Sequence, residues 1–472
     1  MPAVAFSARR RVGALLLSCS AVSAPLATAA LFVPASLAAQ PASAIPAKYR
    51  DVANRIIAAA QADSAGAWNR IAELTDTFGH RLSGSTALEQ AIDWTVATMK
   101  ADGLDAVRKE PVMVPHWVRG AESLELVTPR RQRLPMLGLG GSIATPPEGI
   151  TAEVMVVASF DELKARAAEA KGKIVLYDAE WRDYGYNGAF RRVGAIEAAR
   201  VGAVASLARA AGPYSMRTPH TGSMSYDSTV TKIPHASVTA EDAMMMRRMI
   251  ARGQRVSVTL TMSAKTLPDA QSHNVMGELR GREKPAEIVV MGGHIDSWDV
   301  GQGAMDDAGG VVVAWEAIRL LKRLGLTPRR TIRVVGWTNE ENGMRGGNAY
   351  RDGHRNEVHQ LAIESDGGVF APLGFGFTGT PEARAVIEAI GSLLAPIGAG
   401  RIGPSGGGAD IGPIMATGVP GMGLEVDGSR YFWFHHTDAD TPDKLDKAEV
   451  QKCVAVMAVM AYIAADVEQS LR

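Results

Sequence analysis

Apolar positions along this chain follow two periods, about 3.6 and 2 residues, and their alternation is most regular after residue 268. Early on, Ala53, Ile56, Ile57 and Ala60 share one helical face. Ser85 can cap a second predicted helix, whose inward face runs through Leu88, Ile92, Val96 and Met99 until Gly103 stops it. Residues 107–114 alternate as a strand.

Residues 119–267 have a different texture. Short strands are predicted at 153–157, 173–177 and 203–207, and a helix at 240–252. Met244, Met245, Met246 and Met249 fall at helical spacing, which reads as core packing and not as a methionine-rich metal site. Gly138-Leu139-Gly140-Gly141 lacks a strand–turn–helix context and reads as a loop, not a phosphate cradle.

From residue 268 the pattern is strand, loop, helix, repeated. Strands are predicted at 287–291, 331–337, 361–363 and 422–426. A helix is predicted over 308–324, with Val311, Trp315, Ile318 and Leu321 facing inward. Thr380-Pro381-Glu382 combines a cap, a proline at the first helical position and an acid near the positive end of the helix dipole. Asp446 and Glu449 form a capping box before the last helix. This alternation predicts an α/β fold: a mainly parallel sheet with helices on both faces.

The 472 residues are long enough for about two domains. Lys plus Arg number 50 and Asp plus Glu 50, so no net field draws the chain to nucleic acid, and no basic cluster revives that reading. Residues 1–44 read as an export signal and leader. Arg9, Arg10 and Arg11 precede an apolar stretch starting at Val12, and small residues allow cleavage after Ala29, Ala39 or Ala44. The exported chain is thus expected in the periplasm or outside the cell. Pro25 and Pro34 interrupt the stretch, so no integral membrane domain is expected after signal removal. Leu16-Leu17-Ser18-Cys19 is an imperfect lipid-attachment box, which makes a lipid anchor at Cys19 the alternative fate. Cys453 then remains as a single thiol in an apolar helical pattern, and no internal disulfide forms in the mature chain.

The polar residues that stand out lie just past predicted strands, where open α/β sheets build their sites. Gly292-Gly293-His294-Ile295-Asp296 follows one strand, Asn339-Glu340-Glu341 another and Glu364-Ser365-Asp366 a third. Met305-Asp306-Asp307 enters a helix, and His435-His436 comes late in the chain. A lone histidine after a strand is usually structural, and a lone Glu-Glu pair is usually a solvated turn. Several strand ends supplying imidazole and carboxylate together, without cysteine, fit a catalytic zinc site. The number of ligands fits two Zn2+ ions sharing one carboxylate. Such a pair can activate water and stabilise an oxyanion, while one of two adjacent glutamates moves the proton.

His294-Ile295-Asp296-Ser297-Trp298-Asp299-Val300-Gly301-Gln302-Gly303-Ala304-Met305-Asp306-Asp307 closely resembles the plasma glutamate carboxypeptidase (carboxypeptidase Q) group. The wider family includes bacterial leucyl aminopeptidases and glutamate carboxypeptidase II. Trp337-Thr338-Asn339-Glu340-Glu341 and Tyr431-Phe432-Trp433-Phe434-His435-His436 carry the resemblance further, and it extends from Leu82-Ser83-Gly84-Ser85 to the last helix.

The resemblance implies that His294 and Asp366 hold one zinc, Glu341 and His436 the other, and Asp306 bridges them. It implies Glu340 as general base and then acid, with Asp296 orienting the His294 ring. His436 is preferred to His435 because it directly precedes Thr437, as the family's ligand precedes Ser or Thr. The Asp306–Asp307 peptide is expected to be cis. The implied fold is a three-layer αβα peptidase domain made of residues 45–118 and 268–472. Residues 119–267, with Lys171-Gly172-Lys173-Ile174-Val175-Leu176, are implied to be a protease-associated lid over the site. Implied substrates are dipeptides or short peptides with a free amino terminus, and the implied assembly is a homodimer. Ala409, in Ser405-Gly406-Gly407-Gly408-Ala409-Asp410, departs from the Ser, Thr or Asn usual in relatives, which bears on specificity. A catalytically inactive binding module on the same scaffold and a hydrolase of a non-peptide amide are the alternatives.

Overall fold

The computed structural model describes residues 41–472. The export signal, its cleavage after Ala29 or Ala39, and the lipid-attachment box at Cys19 fall outside the described residues. Ala42–Ala44 forms a single 3-10 turn leading into helix Ile45–Ala62.

An eight-stranded sheet carries the strand ends singled out above. Its order is Asp105–Val118, Lys265–Leu279, Arg330–Trp337, Lys284–His294, Val358–Glu364, Gly421–Val426, Pro372–Thr378 and Arg401–Gly403. The four strands from Arg330–Trp337 to Gly421–Val426 run parallel. Outside them, Lys265–Leu279 and Pro372–Thr378 each pair antiparallel with the parallel block, and Asp105–Val118 pairs antiparallel with Lys265–Leu279. The sheet is therefore mixed, with a parallel centre.

Burial explains the centre. Every residue of Arg330–Trp337 is buried, as expected for a strand covered on both faces. Along Lys284–His294, Val289 and Met291 face a core shared with helices Ile45–Ala62, Gly309–Arg323 and Lys447–Asp466. Ile288 and Val290 face the other side, against Tyr350 of helix Arg345–His354 and Ile414 of helix Gly412–Met415. Among the described residues, Lys447–Asp466 is the one helix long and apolar enough to cross a membrane, and 83% of its most apolar window is buried inside the protein. Cys453 sits on this helix, buried and unpaired, its thiol donating to the Phe370 carbonyl at 3.2 Å.

Local capping acts where the residues predict it. Ser85 accepts from the Leu88 N–H, Thr380 from Ala383, and Asp446 from Ala448 and Glu449. Helices Gly66–Phe78, Tyr184–Arg200 and Arg345–His354 are additions to the predicted set. Tyr184–Arg200 has no clean apolar stripe because it buries polar residues, Asn187 and Arg191, beside Phe190 and Ala195.

The chain leaves the central sheet after Val118 and rejoins it at Lys265. Between them lies a second eight-stranded sheet. Its parallel core is Ile150–Val157, Ile174–Tyr177, Ala205–Arg209 and His235–Val238. Helix Ala240–Ala251 packs Met246 and Met249 into this sheet's core with Leu176 and Val258. The glycine-rich stretch is not wholly a loop: Met136–Gly138 is a strand, and Gly140 lies so close to Trp298 that a Cβ would overlap the indole.

Candidate active site

The site lies at the carboxyl ends of the parallel strands. His294 ends its strand, and its main-chain N–H donates to Asp307 Oδ2 at 3.1 Å. Its ring Nδ1 donates to the Asp296 carbonyl at 2.9 Å, leaving the Nε2 lone pair for the site. The resemblance assigns this orienting role to the Asp296 carboxylate, but Oδ1 lies 3.8 Å away. That carboxylate instead accepts the Glu340 N–H at 3.1 Å, because the chain turns at Asp296 and presents its carbonyl to its own neighbour's ring.

Asp306 and Asp307 are joined by a cis peptide. Asp307 is used by the main chain, accepting from His294 and from Gly310 at 2.9 Å. Asp440 holds the same turn from outside: Oδ1 accepts from Ala304 and Met305 at 2.9 Å, and Oδ2 from Asp306 at 3.2 Å. With its N–H held by Asp440, Asp306 turns its carboxylate into the site.

The structure brings His294, Asp306, Glu341, Asp366 and His436 together. Asp306 Oδ1 is 3.2 Å from His294 Nε2, which is 3.3 Å from Asp366 Oδ1. Asp306 Oδ2 is 3.2 Å from His436 Nε2, which is 3.0 Å from Glu341 Oε2. Ligands around a tetrahedral zinc with bonds of about 2.0–2.1 Å stand roughly 3.3 Å apart, so these spacings fit zinc. Asp306 Oδ2 and Glu341 Oε1 are buried without a hydrogen-bond partner, a costly state that a cation relieves. His435 also reaches the site, with Nε2 3.4 Å from Asp306 Oδ2 and its ring stacked on His436 at 3.5 Å.

Electrostatics give the same picture. Burial pushes the Glu340 carboxyl well above its usual range, against the pull of His294 and with the push of Asp366 and Glu341. Burial raises Glu341 to about 7, opposed by His436. Burial lowers His294, yet its bonds to Asp306 and Asp366 outweigh that and raise it. A dense set of buried carboxylates raised in this way calls for positive charge. Asp410 and Glu364 form a buried carboxylate pair behind the cluster, each raised first by burial, and Glu364 reaches about 7. Ala409 is itself partly exposed, so the carboxylate buried from this loop is Asp410.

Several site residues lie outside the predicted set. Arg81 is fully buried beneath the His294 loop and donates to the carbonyls of Ile295, Gln302, Gly303 and Gly79. The cleft, about 600 Å³, is lined on one side by Glu340, Glu341 and Asp366 and on the other by Tyr184, Arg191 and Ser223 of the second sheet's region. The motif at residues 82–85 flags the neighbourhood of Arg81, whereas no local pattern flags Arg191.

The model of peptidase family M28 matches residues 274–461. Carboxypeptidase Q of Xenopus laevis is 48% identical over 427 residues, covering 90% of this chain and 91% of that protein. The chain belongs to peptidase family M28. Human carboxypeptidase Q is 47% identical, with 86% of each chain covered. The crystal structure of an M28 peptidase precursor from Shewanella amazonensis is 36% identical and superposes with a TM-score of 0.87, covering 90% of this chain and 98% of that one. A zinc aminopeptidase from Bacillus subtilis shares the fold at 21% identity and a TM-score of 0.64, covering 86% of this chain and 98% of that one. With the donor geometry described, the M28 chain is a zinc metallopeptidase.

Proposed function

We propose that this metallo-exopeptidase holds two zinc ions and hydrolyses dipeptides or short peptides with a free amino terminus. The observation that carries the reading is the division of Asp306, with one oxygen toward His294 and the other toward His436. A carboxylate placed so would serve two ions, with Asp366 beside His294 on one side and Glu341 beside His436 on the other. The ions would lower the pKa of the attacking water and polarise the scissile carbonyl.

The chain's own residues do the rest. Glu340 lines the cleft beside Glu341 and Asp366, where its carboxylate would take a proton from the attacking water. As the C–N bond breaks, Glu340 returns that proton to the leaving amine. The cleft volume fits a small ligand and not a folded protein. Carboxypeptidase Q is named as a carboxypeptidase, and a dipeptide meets the requirement of a carboxypeptidase and an aminopeptidase at once.

Residues 119–267 are read as a protease-associated insert that closes over the cleft and excludes water. The chain is read as exported and as a homodimer, as the resemblance implies.

The test is metal content with hydrolysis of free dipeptides, amino-acid anilides and amino-blocked peptides. Two zinc ions per chain, with cleavage only where the amine is free, is the expected result. Bound zinc without cleavage of any of these would move the reading to a non-peptide amide, and neither zinc nor activity to a binding module.

A further inference from the structure

The two histidines proposed as metal ligands are oriented by different parts of the chain. His294 Nδ1 donates to the carbonyl of Asp296, two residues away. His436 has no such neighbour. Its Nε2 faces Asp306 and Glu341, so a metal held on Nε2 would leave the proton on Nδ1, and Nδ1 would then need an acceptor. The Thr221 carbonyl, from the second sheet's region, lies 3.3 Å from it. The Thr221 N–H in turn donates to the His436 carbonyl at 2.9 Å, so the two residues grip each other at both ends.

Arg191 fixes that carbonyl. Its Nη1 donates to Thr221 O at 3.2 Å and lies 3.3 Å from His436 Nδ1, while Nη2 donates to the Tyr184 hydroxyl at 2.7 Å. Arg191 is 6% exposed, and its Nε is buried without a partner. A buried guanidinium is costly unless position repays it. Gly222, at φ +134°, leaves it room: a Cβ there would overlap the guanidinium. On its far side Thr221 Oγ1 accepts from Arg119, which is ion-paired with Asp299 in the loop after His294 at 2.5 Å.

We infer that Arg191 is a positioning residue for His436, acting through the Thr221 carbonyl, so that the insert sets the affinity of one metal position and not the other. The inference rests on the two-zinc reading. Outer partners of a ligating histidine typically change metal affinity by about 10–100-fold.

The experiment is zinc bound per subunit across a series of chelator-buffered free-zinc concentrations, with thermal melts in parallel. The proteins are wild type, Arg191→Ala, Arg191→Lys, Gly222→Ala and, as control, Arg192→Ala, whose guanidinium bonds the exposed Gly185 carbonyl. The expected result is two ions in wild type and Arg192→Ala. In Arg191→Ala and Gly222→Ala, one ion should weaken by about 10–100-fold while the other is unchanged. Arg191→Lys should fall between, because a single ammonium can reach Thr221 O but not also Tyr184. Both ions held as tightly as in wild type, or both lost together with the fold in Arg191→Ala and Gly222→Ala, would overturn the inference. Wild type without zinc would overturn the metal reading itself.

Discussion

Asp296 orients His294 with its main chain and not with its carboxylate: the ring Nδ1 is 2.9 Å from the carbonyl and 3.8 Å from Oδ1. The carboxylate serves Glu340, accepting that residue's N–H at 3.1 Å, while Ser83 Oγ lies 3.4 Å from Oδ2.

Asp296→Ala should therefore act mainly on the Glu340 turn. We expect kcat to fall by about 10-fold or more, the scale of a lost charged hydrogen bond at 1.5–3 kcal/mol, while the zinc site at His294 keeps most of its affinity. Kinetics beside zinc titration would check it. Loss of zinc with an unchanged per-zinc kcat would return the orienting role to the carboxylate.

Glu340→Gln removes the proton carrier without changing shape. Hydrolysis should drop by about 10²–10⁴-fold with the zinc content of wild type retained. Equal rates in variant and wild type would rule out Glu340 as the base.

Chelation should destabilise the fold, because Asp306 Oδ2 and Glu341 Oε1 are buried without a hydrogen-bond partner. An ion present at 100 times its Kd contributes about 2.7 kcal/mol per site. Calorimetry with and without chelator should show a lower Tm for the stripped protein, reversed by zinc. An unchanged Tm would mean that the cluster tolerates its own charge.

His359 makes acid stability predictable. It is 1% exposed, and burial, helped by Arg333, pushes its pKa down from 6.5 to about 4. Below pH 6.5 the unfolded chain takes up a proton that the folded chain refuses until about pH 4. This histidine therefore costs stability as pH falls through that window, by about 1.4 kcal/mol per pH unit at most. Denaturant melts at pH 5 and 7 should show the slope, and His359→Gln should flatten it.

Arg81 donates to the carbonyls of Gly79, Ile295, Gln302 and Gly303, of which, among the described residues, Gly303 alone also accepts a main-chain bond, from the Ala308 N–H. Arg81→Met should cost about 3 kcal/mol or more, because each buried carbonyl left unpaired costs about 1–3 kcal/mol. Arg81→Lys should rescue little, lacking the planar fork. Urea denaturation would measure both, and a loss under 1 kcal/mol would show that water replaces the guanidinium.

Much of this protein is local and therefore legible in its sequence. Strand period places His294, Glu341 and Asp366 just past buried runs, and side-chain caps at Ser85, Thr380 and Asp446 fix helix starts with contacts three residues long. Peptidase motifs are legible for the same reason, since the ligand-bearing loops are short and chemically distinctive. The antiparallel flanks of the sheet were not, because strand direction depends on pairing between distant segments such as Asp105–Val118 and Lys265–Leu279.

The same limit applies inside the site. Asp440 caps the Asp306 turn from across the chain, and Arg191 and Thr221 reach His436 from the second sheet's region. In sequence these are an ordinary aspartate, arginine and threonine with no pattern around them. The sequence by itself determined which residues could bind metal and move a proton, because those are properties of side-chain chemistry and short spacing. Only the tertiary structure decided that the Thr221 carbonyl faces His436, because a hydrogen bond between residues more than two hundred positions apart exists only once the chain has closed.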